Sequence, residues 1–270
     1  MRREERALAI DWAAGEGWNP GLHDAAAFGT VDPLGWLICE VDNAPVGCIT
    51  ALRYDNSFAF VGFYIVKPEH RGKGYGLSLW ESAMDRVRDR NAGLDGVLAQ
   101  VDNYAKAGFV LDGRNARYRG SGDGAANGGT NLVAPGDIST LIAYDRTCFP
   151  APRGAFLREW FTLPDSFSRV ARRDAEIVGY GTIRRCREGW KIGPLFANDI
   201  AVAKRLFQDL RSHAAGEHIY LDVPTSNLAA VGLATEAGMG VVFETARMYT
   251  RGRPAFAAGR VFGVTSFELG

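Results

Sequence analysis

The sequence contains no apolar run of about 18 residues, the length a membrane-crossing helix needs. Its opening residues, Met1-Arg2-Arg3-Glu4-Glu5, lack the apolar core of a secretory leader, so the chain reads as soluble and cytoplasmic. Excess charge is absent as well. The 31 basic residues balance 31 acidic ones, which removes the electrostatic argument for nucleic acid or an anionic membrane as partner. Cysteine is sparse: Cys39, Cys48, Cys148 and Cys186 form no Cys-x-x-Cys pair and no Cys/His spacing suited to a metal. They read as small buried hydrophobes, and no metal is expected. His23, His70, His213 and His218 are scattered, none beside a Ser or Cys in a recognisable nucleophilic arrangement.

What is present begins with size. At 270 residues, with a hydrophobic fraction of 47%, the chain is long enough for two domains with full cores. The most informative stretch is Val66-Lys67-Pro68-Glu69-His70-Arg71-Gly72-Lys73-Gly74-Tyr75-Gly76. It follows a strand-like run, Phe58 to Val66, and leads into an amphipathic helix beginning near Leu77, whose Leu77, Trp80, Met84 and Val87 are expected to share one face. Three alternating glycines strip the side chains from a loop entering a helix N-terminus. Backbone N–H groups can then converge on an anion, with the helix dipole adding positive potential. The spelling is neither a P-loop, because Gly74 and not Ser or Thr follows Lys73, nor Gly-x-Gly-x-x-Gly. It predicts a cradle for a phosphate or pyrophosphate.

The order of elements occurs twice. A Gly-rich stretch between Gly120 and Gly136 reads as a flexible connection. Before it, Asp42-Asn43 precedes a strand over 46–54; after it, Asp174-Ala175 precedes one over 178–186. Val61-Gly62-Phe63-Tyr64-Ile65 matches Ile192-Gly193-Pro194-Leu195-Phe196, the helix at Leu77 matches one at Ile200, and Ala116-Arg117-Tyr118 matches Ala246-Arg247-Met248. The next strands are expected at Val97–Val101 and Ile219–Val223. The expected spans are a first domain over 1–120, a linker over 121–136, a second domain over 137–250, and a tail over 251–270 that packs on the body. Antiparallel strands, helix, strand, short helix and strand make an α/β pattern with a mixed sheet. In the second copy Ala197-Asn198-Asp199 leads directly into the helix, so the cradle is missing there.

Val66-Lys67-Pro68 followed by Arg71-Gly72-Lys73-Gly74-Tyr75-Gly76 resembles the signature of the GNAT superfamily of acyl-CoA N-acyltransferases, Arg/Gln-x-x-Gly-x-Gly/Ala after a strand ending Val-x-Pro. The resemblance implies a tandem pair of GNAT folds, the second degenerate, with acetyl-CoA as cosubstrate of the first. Arg71, Gly72, Lys73, Gly74, Tyr75 and Gly76 would hold the CoA pyrophosphate, and backbone groups of Tyr64, Ile65 and Val66 the pantetheine and thioester. Asp102-Asn103-Tyr104-Ala105-Lys106-Ala107-Gly108-Phe109 is similar to the family's second motif in shortened form. That similarity gives Asn103 a pantetheine contact and makes Tyr104 the acid that protonates the departing thiolate. In the second copy the tyrosine position is Ala234.

The implied reaction is transfer of an acetyl group to the primary amine of a small molecule by direct attack in a ternary complex. A protein lysine or N-terminus as acceptor, or a non-catalytic acyl-CoA-binding role, is the alternative. The strand Phe58–Val66 contains no acid, so the base stays open among Asp55, Glu40, His23 and a chain of waters. Trp12 and Trp18 read as core residues, with an aromatic wall of the acceptor site as the other possibility for Trp18 and Asn19.

Overall fold

The computed structural model describes all 270 residues. Each half opens with two helices, α1 (Arg6–Gly15) and α2 (Asp24–Phe28) in the first, α5 (Ile138–Cys148) and α6 (Gly154–Trp160) in the second. An antiparallel meander follows: β1 (Trp36–Val41), β2 (Ala44–Arg53) and β3 (Phe58–Val66), then β7 (Ser166–Arg173), β8 (Glu176–Arg185) and β9 (Trp190–Ala197). The first hairpin of each meander turns on two residues of positive φ, Asp42 and Asn43 at 50° and 61°, Asp174 and Ala175 at 49° and 69°. That is the two-residue turn whose twist matches paired strands, so the repeat seen in sequence is a repeat of turn geometry.

The remaining pairs are α3 (Tyr75–Val87) with β4 (Asn91–Val97), and α7 (Ile200–Arg211) with β10 (His218–Pro224). Short helices α4 (Val101–Lys106) and α8 (Leu228–Glu236) precede the long terminal strands β5 (Val110–Ser121) and β11 (Gly240–Tyr249). A two-residue β6 (Asn131–Leu132) and a three-residue β12 (Val261–Gly263) complete the set. Beyond Ser121 the Gly-rich stretch is pinned: Asp209 accepts from the Asn127 amide at 2.7 Å and the Thr130 hydroxyl at 2.6 Å.

All strands lie in one mixed sheet, in the order β1-β2-β3-β4-β11-β5-β10-β9-β8-β7-β6, with β12 beside β9. The terminal strands are exchanged. β5 of the first half pairs with β10 of the second, β11 of the second pairs with β4 of the first, and β5 and β11 pair antiparallel at the centre. The two halves therefore do not close as successive units along the chain. A shared core seals them: Ile10 of α1, Phe28 of α2, Trp36 of β1, Leu141 of α5, Phe156 and Trp160 of α6 and Phe267 and Leu269 of the C-terminal tail pack in one cluster, with Phe28 and Trp160 stacked at 5.9 Å.

Two expectations are corrected. The strand placed at Val97–Val101 is β4, Asn91–Val97, and residues 98–100 form a 3-10 turn. Gly93, Asp95 and Gly96 have low strand propensity, but a central strand is fixed by its neighbours. Its glycines are needed: a Cβ on Gly93 would lie 2.9 Å from the Tyr249 ring, and one on Gly96 2.2 Å from that of Tyr104. In α3 the buried stripe is Leu79, Ala83 and Val87, whereas Leu77 is 61% exposed. The helix starts at Tyr75, which turns Leu77 away from the sheet two residues before the i, i+4, i+8 stripe begins at Leu79.

Candidate active site

β3 and β4 run parallel only from Phe58↔Asn91 to Val61↔Leu94; beyond that they part. A bulge in β3 helps the departure, since Gly62 and Ile65 face Thr50 and Cys48 with two residues between them against one, and Phe63 takes φ 45°. An aromatic residue at positive φ is a strained position, and bulges re-aim strands beside functional sites. The gap opens into a cavity of about 440 Å³.

The cradle lies at one end. Gly72 and Gly74 have φ of 73° and 86°, where a side chain would be strained, and Gly74 caps α3 without a capping side chain. The amides of Gly72, Lys73, Gly74, Tyr75, Gly76 and Leu77 pair with no protein acceptor. Six successive free N–H groups at a helix N-terminus make a site for the oxygens of a diphosphate. Gly76 lets Tyr64 approach closely: a Cβ there would lie 2.8 Å from the Tyr64 hydroxyl, which would have to shift. Arg71 is poised beside the loop, Nε donating to the Val66 carbonyl at 2.8 Å and Nη2 to Glu16.

Aromatic rings line the middle. Tyr64 and Trp80, then Trp80 and Tyr104, have centroids 5.6 Å apart in both cases. Burial pushes the Tyr104 hydroxyl up to about 12, with Tyr64 adding to it, so this group holds its proton through neutral pH. Of the residues singled out from the sequence, Tyr64, Ile65, Val66, Arg71, Gly72, Gly76 and Tyr104 come together around the cavity. Lys73, Gly74 and Tyr75 do not line it; Lys73 and Gly74 are exposed and Tyr75 is half-buried. Asn103 is exposed and donates to Gln100 at 2.6 Å; the cavity is lined by Gln100 in its place.

None of the candidate bases lines the cavity. Asp55 caps the turn at Ser57 and Phe58, His23 bonds Asp165 at 3.0 Å, and Glu40 is exposed. Trp18 does reach it, while Trp12 lies beneath Lys67 at 5.2 Å. The far wall comes from parts the sequence did not connect with the site: Phe243 and Thr245 of the exchanged strand β11, and Phe267 and Glu268 of the tail. No spacing rule links these residues to the cradle, because strand exchange and not sequence proximity delivers them.

The equivalent place in the second half is closed. β9 and β10 part after Ile192↔Leu221, and β12 fills the opening, pairing with β9 while the Val264 amide donates to Asp222. At the start of α7 the Asp199 carboxylate accepts from the Val202 amide at 2.9 Å, which puts a negative charge where the first half has free donors. That carboxylate, also paired with Arg173 at 2.9 Å, takes the amide that an anion would use there. Donor cradle and tyrosine thus occur in the first half alone.

A parallel pair of strands splayed open beside a free-amide loop defines an acyl-CoA-dependent acyltransferase of the GNAT type. Residues 5–109 match the family described as "Acetyltransferase (GNAT) family", and residues 141–263 match "Acetyltransferase (GNAT) domain". The chain is 32% identical to the holothin acyltransferase of Pseudoalteromonas sp. (strain SANK 73390), over 99% of this chain and 92% of that one. This chain belongs to the GNAT superfamily, as two such folds in tandem. Among solved structures it is similar to a protein of Pyrococcus horikoshii, with TM-score 0.84 and 19% identity over 100% of this chain and 94% of that one. It is also similar to a tandem GNAT protein from the clavulanic acid biosynthesis pathway, with TM-score 0.62 and 14% identity over 92% and 96%. No helix is long and apolar enough to cross a membrane.

Proposed function

We propose that the protein is an N-acetyltransferase that moves an acetyl group from acetyl-CoA to the primary amine of a small molecule, by direct attack in the first-half cavity. The observation that carries this reading is the run of free amides from Gly72 to Leu77, whose Gly72 and Gly76 line the same cavity as Tyr104. Arg71 would turn from Glu16 to the diphosphate. Backbone groups of Tyr64, Ile65 and Val66 would align the pantetheine and polarise the thioester carbonyl, an oxyanion-hole role. The thioester supplies an activated acyl carbon. Tyr104, protonated at neutral pH, would supply the proton that the sulfur needs to leave, a role worth about 10²–10⁴ in rate.

A small acceptor is favoured by the aromatic walls Trp18, Phe243 and Phe267 that the cavity has away from the cradle. The relative's name, holothin acyltransferase, points the same way. The test is release of free thiol from acetyl-CoA across a panel of amines that includes holothin and a lysine peptide. Turnover with small amines, lost on Tyr104→Phe, is expected. Tight CoA binding without turnover on any amine would refute the enzymatic reading, and preference for the peptide would refute the small-molecule one.

A further inference from the structure

The acceptor end of the cavity is closed by the last residues of the chain. Every residue from Val261 to Gly270 is buried. The segment is fixed at successive points. The Val264 amide donates to the Asp222 carbonyl at 2.9 Å, Arg153 Nη1 to Thr265 Oγ1 at 2.8 Å, and the Tyr54 hydroxyl to the Leu269 carbonyl at 2.8 Å. Gly62 allows it to lie directly on β3, since a Cβ there would fall 2.2 Å from the Glu268 carbonyl oxygen.

Between these anchors two side chains line the cavity. Phe267 lies under the Arg117 guanidinium at 4.8 Å and beside Phe243 at 6.2 Å. Glu268 is 3% exposed, yet its carboxylate makes neither a hydrogen bond nor an ion pair with the protein. The cations near it are already engaged: Arg117 with Asp222, Arg184 with Asp24 at 2.8 Å, and Lys191 with the Asn19 carbonyl at 2.7 Å. Across the cavity stand Glu16, Asp95, Tyr64 and Tyr104, with Asp95 bound to Arg247 and Asn115. A buried carboxylate without a partner is costly to keep, and this one opens on the space left for an acceptor.

We propose that Glu268 is the general base of the transfer, receiving the proton of a cationic primary amine whose apolar, ring-sized body rests between Trp18, Phe243 and Phe267. The proposal rests on the N-acyltransferase reading above. The carboxylate takes one proton from the ammonium and passes it to solvent. The freed nitrogen lone pair forms the C–N bond at the acyl carbon, the C–S bond breaks with its electron pair on sulfur, and Tyr104 protonates that sulfur. The surplus proton on nitrogen returns to the Tyr104 oxygen, so the products are amide, thiol and one released proton.

The test compares wild type with Glu268→Gln using acetyl-CoA and benzylamine, 2-phenylethylamine or tryptamine, whichever wild type acetylates fastest. At neutral pH kcat/KM should fall about 10²–10⁴-fold. It should recover as pH approaches about 10, where the amine is neutral without help. CoA affinity should be unchanged, a combination that a structural role would not give. Should Glu268→Gln lose CoA binding through misfolding, Glu268→Asp keeps the charge and should show a partial loss of kcat/KM. A wild-type rate and pH profile in whichever variant binds CoA would overturn the assignment of the base alone. Turnover by wild type on other amines but on none of these three would overturn the acceptor class, and turnover on no amine would overturn the enzymatic reading as well.

Discussion

Arg117 on β5 and Asp222 on β10 face each other across strands from different halves of the chain, joined by Nε to Oδ1 at 2.6 Å and Nη2 to Oδ2 at 2.7 Å. Arg247 on β11 and Asp95 on β4 repeat the arrangement in the other direction, at 2.7 Å and 2.6 Å. Each half thus lends its terminal-strand arginine to the other half's aspartate, and the pair of buried forks holds the strand exchange in register. Geometry of this kind specifies partner and position more than it adds stability.

Asp222→Asn should therefore be severe. Burial alone would push the Asp222 carboxyl up, but the Arg117 charge and its two bonds hold it below the ordinary carboxylate value. A depressed carboxylate stabilises the fold above its ordinary pKa, and the contribution disappears as pH falls through the lowered one. Acid unfolding should accordingly begin below about pH 4. The substitution leaves the Arg117 guanidinium buried without its counter-charge, at a cost of about 3–5 kcal/mol. Denaturant melts at neutral pH check this; a change under about 0.5 kcal/mol would show that the pair does not lock the exchange.

The cradle makes a separate prediction. Gly74 has φ 86°, and a Cβ placed there would have no neighbour within 4 Å, so a substitution meets backbone strain and no clash. Gly74→Val should distort the run of free amides at a local cost of about 1–2 kcal/mol, or about tenfold or more in CoA affinity. The rest of the fold should keep its melting temperature, because the loop is exposed. Calorimetric titration of CoA decides it, and unchanged affinity would remove the loop from the donor site.

Tyr104 ties rate to pH. With its hydroxyl raised to about 12, the proton-bearing form persists two units beyond an ordinary tyrosine at about 10. The alkaline decline of kcat should thus be absent through about pH 10, and Tyr104→Phe should lower kcat by about 10²–10⁴ at every pH below that. A decline centred near 10 that vanishes in Tyr104→Phe would mean that the ring is not buried as described.

Much of this site was legible because it is local. Gly72, Gly74 and Gly76 lie within five residues, and their meaning follows from backbone freedom and the helix that comes next. Tyr104 stood out through the similarity of residues 102–109 to the family's second motif. The strand exchange was not legible, because Ala116-Arg117 and Ala246-Arg247 have the same pattern and either sheet half offers an aspartate to receive them. The position of β4 was hidden because Gly93 and Gly96 answer to the rings of Tyr249 and Tyr104, contacts no window of sequence contains. Glu268 was invisible for the same reason, being a tail residue with no counterpart in the repeat.

Gly62 links the two ends of that problem. A Cβ at this position would fall 2.2 Å from the Glu268 carbonyl oxygen and 3.0 Å from its carbonyl carbon, both backbone atoms that no side-chain rotation can move aside. Gly62→Ala must therefore lift the tail from β3 around Phe267 and Glu268. Displacement of reacting groups by about 1 Å costs on the order of 10²-fold in rate, so kcat/KM should fall by about that much. CoA affinity should hold, since the free amides lie beyond the far end of β3. The same variant should expose the segment 261–270, which is buried in the native fold, and limited proteolysis should cleave there faster than in wild type. A variant with both the native rate and the native resistance would show that the tail tolerates the extra methyl and that its contact with Gly62 does not position the acceptor wall.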